Sequence, residues 1–266
     1  MSQKLHQRIS EYERLTQKQL ECLPQFDLLA YIGIPCIHPG GFAATKKLLE
    51  LCEPDKEDII LDVGCGTGST SCYAAAKYGC MIVAVDLNAL MLTRFIERTH
   101  RKQSGDTIHA LRSDAVRLPF RESSFDVVII ESVFTHVDEK VALEEIRRVL
   151  KTGGRVGALE FVWLSAPSTE LANEVSRLSG VTFKILTHEE WRKIFLDAGF
   201  QEIESKESKL KRVSYLEVLK VEGINSFNLL HRYYRIPSSR RKSLAKLWNL
   251  ETTSKELGYG TYCWSK

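Results

Sequence analysis

The sequence predicts an α/β protein built on a doubly wound, mostly parallel sheet. Three observations predict it. Between residues 59 and 161, short apolar runs alternate with amphipathic stretches of helical length, as repeated βαβ units require. A glycine-rich turn, Gly64-Cys65-Gly66-Thr67-Gly68, directly follows the first of those runs. Residues 125–130 form an apolar run, the pattern of a strand covered on both faces.

The apolar positions Leu5, Ile9, Tyr12, Leu15, Leu20 and Leu23 approach a period of 3.6, which predicts one amphipathic helix over residues 2–23. Residues 26–32 follow Pro24, and a turn-rich break at 33–41 contains Pro35, His38, Pro39 and Gly40-Gly41. A helix over 42–52 ends before Pro54. Strands are predicted at 59–63, 81–85, 108–111, 125–130 and 156–161. Helices fall between them at 69–78, 89–101 and 139–150, the last stopped by Gly153-Gly154.

Two helices come next, at 169–178 and 189–198. The second opens on Thr187-His188-Glu189-Glu190, a capping-box spacing. Residues 200–205 and 259–264 supply the last two strands. The apolar and basic stretch between them, 213–248, has helical spacing broken at Pro237. The organisation expected is an N-terminal helical lid at 1–41, a core at 42–212, a helical cap inserted at 213–256 and a final core strand at 257–266. No internal repeat interrupts it.

The chain of 266 residues is 44% hydrophobic, enough for one large domain with decoration. No stretch approaches the roughly 18 apolar residues that span a bilayer, and residues 1–9 are polar and basic, so a cytoplasmic protein is expected. Seven scattered cysteines without a C-x-x-C pair read as buried thiols, with no metal site expected. The net charge of +3 is too small to imply a nucleic-acid partner by itself, and nucleic acid is not expected as the main partner, although residues 201–266 carry 13 Lys or Arg against 7 Glu. A homodimer is compatible with this composition.

A glycine turn between strand and helix lets a ligand touch bare backbone. The dinucleotide fingerprint G-x-G-x-x-G would need glycine at position 69, where Ser69 stands, which argues against a nicotinamide-dependent oxidoreductase. An acidic residue that grips ribose hydroxyls is expected about 20 residues on, at the end of the second strand, and Asp86 stands there.

The run Ile60-Leu61-Asp62-Val63-Gly64-Cys65-Gly66-Thr67-Gly68 resembles the first motif of class I S-adenosylmethionine-dependent methyltransferases, particularly the small-molecule enzymes of the ubiquinone/menaquinone-biosynthesis-like (type 11) group. The likeness extends over about residues 40–200. It implies a seven-stranded, Rossmann-like sheet, mostly parallel with the last strand antiparallel. It also implies S-adenosylmethionine as cofactor, with S-adenosylhomocysteine as product. Gly64, Cys65, Gly66 and Gly68 would lie beneath the methionine part, with Cys65 packing rather than reacting, and Asp62 would orient the turn or meet the cofactor's amino group. Asp86, Leu87 and Asn88 resemble the ribose-binding acid and its adenine-flanking neighbours. Asp114-Ala115 resembles the adenine-recognition motif, and Glu131, at the end of the fourth strand, would line cofactor and acceptor.

A methyl sulfonium is already electrophilic, so the protein must chiefly align donor and acceptor for in-line displacement and exclude water. A base is needed only where the acceptor arrives protonated. His136 and Glu131, just beyond the fourth strand, are the candidates. His136 also reads as a helix-entry histidine, and Glu131 as a turn stabiliser. Glu160, late in the fifth strand, could equally be solvated. The His38-Pro39-Gly40-Gly41 turn, with Tyr31 nearby, reads either as cofactor contact under a lid or as a structural turn. The 213–248 stretch interleaves Tyr215, Phe227, Tyr233, Tyr234 and Trp248 with Arg232, Arg235, Arg240, Arg241 and Lys242. It reads chiefly as an amphipathic cap. Methyl transfer to a small molecule is therefore expected. The alternatives are an RNA or protein methyltransferase using the basic cap, or a non-catalytic S-adenosylmethionine-binding protein.

Overall fold

The structure, a computed structural model, describes residues 3–179, 184–210 and 221–266. Strands β1 (Ile59–Val63), β2 (Met81–Asp86), β3 (Ile108–Arg112), β4 (Phe125–Glu131), β5 (Leu150–Trp163), β6 (Leu186–Thr187), β7 (Gln201–Lys209) and β8 (Leu257–Ser265) form one sheet of order β3-β2-β1-β4-β5-β8-β7. β3 to β5 run parallel, and β8 enters antiparallel between β5 and β7. The expected seven strands gain an eighth, because the two-residue β6 pairs parallel with the end of β5.

Both faces of the central strands β1 and β4 are buried, which explains their apolar runs, broken only by Asp62 in β1 and, short of its terminal Glu131, by Asp126 in β4. Leu61, Val63, Val128 and Ile130 point to one face and meet α7 (Glu139–Val149) and α9 (His188–Asp197), where Trp191 and Phe195 are buried. Ile60, Ile82, Val127 and Ile129 point to the other and meet α4 (Gly41–Cys52), α5 (Ser69–Tyr78) and α6 (Ala89–Lys102). A side chain such as Trp191 is worth about 3 to 5 kcal/mol against alanine. Its Nε1 donates to the Phe161 carbonyl at 3.2 Å, leaving no cost for the buried indole N–H.

A third core joins the beginning of the chain to its later part. α1 (Gln3–Glu13), α2 (Gln17–Cys22) and α3 (Gln25–Ile32) pack with α10 (Ser226–Arg235) and α11 (Ser238–Thr253) over Leu90 and Met91 of α6. Four arginines fasten this layer. Arg232 Nε reaches Glu13 Oε1 at 2.8 Å, Arg235 donates to the Glu13 and Leu15 carbonyls, Arg240 to Leu23, and Arg241 to Tyr234 and Ile236. α8 (Thr169–Ser179) contacts α11 from the side.

Two expectations are corrected. The single helix over 2–23 is two, because Thr16 starts a new helix as a capping box with Gln19. The Gly153-Gly154 pair does not stop α7. Leu150 already begins β5, and the pairing jumps from Phe125–Leu150 to Val127–Arg155, so the glycines form a bulge in the strand, with Gly153 at φ +76°. The 213–248 stretch is helical over its described residues apart from the break at 236–237, where Pro237 lies between α10 and α11 as expected, and its residues 213–220 lie outside the described residues.

Candidate active site

The carboxyl ends of β1, β2 and β4 place three carboxylates around the glycine turn. The turn itself is fixed by two amides, Gly64 and Cys65, that both donate to the Val85 carbonyl at 2.8 and 3.0 Å. Gly64, Gly66 and Gly68 take φ of +72°, +51° and +84°, a region that disfavours any side chain. They have different surroundings. A Cβ on Gly64 would stand 2.2 Å from Val133 Cγ2, and one on Gly68 2.5 Å from Phe95 Cδ2, so both are packed against protein. A Cβ on Gly66 would meet nothing within 4 Å. The bare backbone of Gly66 therefore borders open space, as a ligand-cradling turn must.

Asp86 ends β2 beside that opening. Its Oδ2 accepts the Gly66 amide at 2.9 Å and its Oδ1 the Asn88 amide at 2.8 Å. Burial raises its pKa, and the amides of Asn88, Gly66 and Leu87 oppose the rise. Asn88 caps α6 by accepting from Leu90 and Met91, while its Nδ2 donates to Asp27 of α3 at 2.5 Å. Leu87 between them is exposed. Asp114 holds the turn after β3, accepting the Val116 amide at 3.2 Å and bridging to Arg117, with Ala115 buried behind it. Cys65 is buried, and burial pushes its thiol well above the usual range, consistent with packing.

Asp62 is buried beneath the turn and accepts from Ser71 Oγ at 2.5 Å. Burial pushes its pKa up to about 7, and the nearby Glu131 and Asp86 charges add to the rise against the Ser71 hydrogen bond. Like charges crowded at low dielectric make this floor a place where a cation is favoured.

Glu131 ends β4 and gathers three elements. Its Oε1 accepts from Thr45 Oγ1 of α4 at 2.8 Å and its Oε2 from Thr70 Oγ1 of α5 at 2.6 Å. His38 Nε2 stands 3.6 Å from Oε1 and 3.1 Å from Thr45 Oγ1, and its Nδ1 is 3.2 Å from the Pro39 carbonyl. Burial would lower the His38 pKa, but the Glu131 charge, the Cys36 thiol and the Pro39 carbonyl outweigh it and push it up to about 10. His38 is thus an imidazolium at neutral pH.

The chain then turns sharply. Ser132 takes φ +59°, and the amides of Val133 and Phe134 donate to Glu160 Oε1, both at 2.9 Å. Glu160 is not solvated but fully buried on β5, because β8 covers that strand's far edge. Burial pushes its carboxyl up to about 8 against those amides, and its Oε2 has no partner among the described residues. His136 follows on a short 3-10 turn (Phe134–His136), edge-on to Phe26 of α3 with ring centroids 5.0 Å apart. Its outer side is exposed, yet crowding against this apolar neighbourhood lowers its pKa, which keeps the ring neutral.

The segment from Phe26 to His38 runs along the whole carboxyl edge. After Phe26 and Asp27, it receives Arg94 of α6 at the Ala30 and Tyr31 carbonyls. It then passes over the glycine turn, where Thr67 Oγ1 donates to the Ile34 carbonyl at 2.9 Å and Ser69 Oγ to the Pro35 carbonyl. Tyr31 is buried in the core shared with the cap, and its hydroxyl has no partner among the described residues.

Sequence reasoning missed Asp27, Thr45, Thr70, Ser71 and Arg98, whose Nε donates to the Thr67 carbonyl of the glycine turn at 2.7 Å. Thr45 had a signal, a hydroxyl within the buried stripe Ala44, Leu48, Leu49 and Cys52. So did the Ser69-Thr70-Ser71 run opening α5. Asp27 and Arg98 had none. A cleft of about 480 Å³, lined by Trp163, His188, Ser205 and Lys206 among others, lies by β5, β6 and β7 and contains none of the turn residues.

A family profile described as a methyltransferase domain matches residues 61–157, from β1 into β5. An uncharacterized methyltransferase, YodH, of Bacillus subtilis is 33% identical over 180 residues, covering 67% of this chain and 75% of that protein. Among solved structures, phosphoethanolamine N-methyltransferase 2 of Haemonchus contortus, in complex with phosphomonomethylethanolamine and S-adenosylhomocysteine, superimposes with a TM-score of 0.71 at 21% identity, over 97% of this chain and 60% of that one. The [4+2]-cyclase SpnF superimposes with a TM-score of 0.72 at 20% identity, over 94% and 96%.

Proposed function

Because this chain belongs to the S-adenosylmethionine-dependent methyltransferases, we propose that its acceptor is a small molecule, held between the core and a cover made by the lid (residues 1–41) and the cap (213–256). One observation carries this reading. The segment from Phe26 to His38 is fastened at His136, Asn88, Thr67, Ser69 and Glu131 in succession, so the carboxyl edge is roofed along its length. A roof of this kind excludes water and suits a ligand enclosed on all sides rather than a polymer laid across an open face.

The cofactor supplies a methyl group on a positively charged sulfur. The open backbone at Gly66 and the Asp62, Asp86 and Glu131 carboxylates fit a cationic, ribose-bearing ligand. In this reading Asp86 accepts from the ribose hydroxyls, with Leu87 and Asn88 beside the base, and Asp114 and Ala115 at its edge. Asp62 and Glu131 meet positive charge. Glu131 already accepts from Thr45 and Thr70 and faces a charged His38, which makes it a holder of the roof rather than a proton acceptor. His38, protonated, is not a base. His136 is the neutral imidazole on this edge and takes the proton where the acceptor arrives with one.

The RNA reading rests on the cap arginines. Arg232, Arg235, Arg240 and Arg241 are spent on contacts within the chain. Cell extract incubated with the enzyme and methyl-labelled cofactor, then separated by size, tests the acceptor class. Label in the low-molecular-weight fraction is expected, and label in RNA or protein would sink the small-molecule reading.

A further inference from the structure

Arg98, buried on α6, donates from Nε to the Thr67 carbonyl at 2.7 Å and from Nη2 to the Thr67 hydroxyl at 3.0 Å. One guanidinium thus grips a single residue of the glycine turn by two atoms, and that residue passes its hydroxyl hydrogen to the Ile34 carbonyl of the roof. The third nitrogen of Arg98, Nη1, donates to Glu222 Oε1. Glu222 precedes α10 in the cap, its side chain is fully enclosed, and its Oε2 accepts from Arg101 Nη2 at 3.1 Å and Asn225 Nδ2 at 2.9 Å.

A guanidinium is a rigid planar fork, so fixing one nitrogen fixes where the others point. A buried carboxylate is tolerated only when paired, which commits Glu222 to Arg98 and Arg101 whenever the cap is docked. We propose that Arg98 is a positioning residue for the cofactor, and that its pairing with Glu222 joins docking of the cap and the binding competence of the glycine turn into one equilibrium. With Glu222 in place the fork is set and Thr67 is held between Gly66 and Gly68 at the positive φ values both need. With the cap undocked the fork is released and the turn loses its brace. The coupling is reciprocal, since a cofactor that prefers the braced turn must favour the docked cap by the same factor. The inference rests on the cofactor assignment and is independent of the acceptor.

The rival explanation is that Arg98 and Glu222 only add stability. A neighbouring cluster provides the control, because Glu13 pairs with Arg94 and Arg232 between the same layers without reaching the turn. The test is titration of the full chain with S-adenosylhomocysteine, together with hydrogen exchange of residues 221–235. In the wild type, ligand is expected to slow exchange in the cap. Glu222→Gln should bind about tenfold more weakly and lose that protection. Arg98→Lys, which keeps the charge and loses the fork, should show the same affinity loss with less damage to the melting temperature. Glu13→Gln should melt earlier and bind within about twofold of wild type. Folded Glu222→Gln and Arg98→Lys proteins with wild-type affinity would overturn the coupling, as would a wild-type cap whose exchange ignores the ligand. A wild-type chain that binds no S-adenosylhomocysteine overturns the cofactor reading and this one with it.

Discussion

Asp86 accepts the amide of Gly66 at 2.9 Å, so the residue proposed to grip the cofactor's ribose also shapes the glycine turn proposed to carry the cofactor. One carboxylate thereby serves two purposes, and its removal should cost more than a ribose contact alone. Asp86→Ala is expected to weaken S-adenosylhomocysteine binding about 10- to 100-fold, the worth of hydrogen bonds to a charged group. Asp86→Asn, which can still accept at Gly66, should lose less. Calorimetric titration of both variants checks the order, and equal affinities for wild type and Asp86→Ala would remove Asp86 from the site.

Gly64 and Gly66 should respond differently to the same added methyl group. Gly64→Ala drives a Cβ into Val133 at φ +72° and is expected to lower the melting temperature by several degrees. Gly66→Ala meets no protein atom, so it should cost only the conformational strain, about 1 to 2 kcal/mol, while obstructing the cofactor. Thermal melts with and without S-adenosylmethionine separate the two. Gly66→Ala should retain a cooperative melt that ligand no longer raises.

Asp62 should release a proton when the cofactor binds. Its carboxyl stands at about 7, held up by burial and by the charges of Glu131 and Asp86. A cation beside it favours the ionised form, so the pKa falls on binding and affinity for S-adenosylmethionine should rise from pH 6 to pH 8. Titrations at pH 7 in buffers of different ionisation enthalpy read the proton directly. Asp62→Asn should abolish the buffer dependence.

The His38–Glu131 contact predicts an alkaline weakness. His38 rises to about 10 in the folded chain from an ordinary 6.5 in the unfolded one. A raised pKa means that the folded state binds the proton more tightly. Its stabilisation is complete below about pH 6.5 and is lost as pH climbs through 10. Wild type should therefore lose melting temperature between pH 7 and pH 10 more steeply than His38→Gln. Parallel curves for the two proteins would mean that His38 is neutral in the fold.

Much of this was legible locally. The strands from β1 to β4 and the helices between them follow from apolar period and the glycine turn, because burial on both faces leaves a strong composition signal. The break at Thr16 hid behind period, since Tyr12, Leu15 and Leu20 all pack inward across it. Glu160 stayed open for another reason. Its burial depends on β8, about a hundred residues further on, and no local pattern reports a distant cover. The same holds for Arg98, whose partner Glu222 lies 124 residues away. The carboxylates of the turn could be found by spacing, and the hydroxyls of Thr45 and Thr70 stood out in their helices, but that both converge on Glu131 required the packing of α4 against α5.

The place of β8 in the sheet also governs the order in which the molecule can be made. β5 and β7 both precede it in the chain, yet among the described residues β7 is paired only through β8, and so is the edge of β5 that faces away from β4. During synthesis the apolar edge of β5, from Val156 to Val162, must wait open while the cap is still being translated. An open edge of that kind invites pairing with other nascent chains. The same delay leaves Glu160 without its cover, so a ribosome-bound chain halted before Leu257 should neither hold the amides after β4 as described nor stay soluble without a chaperone.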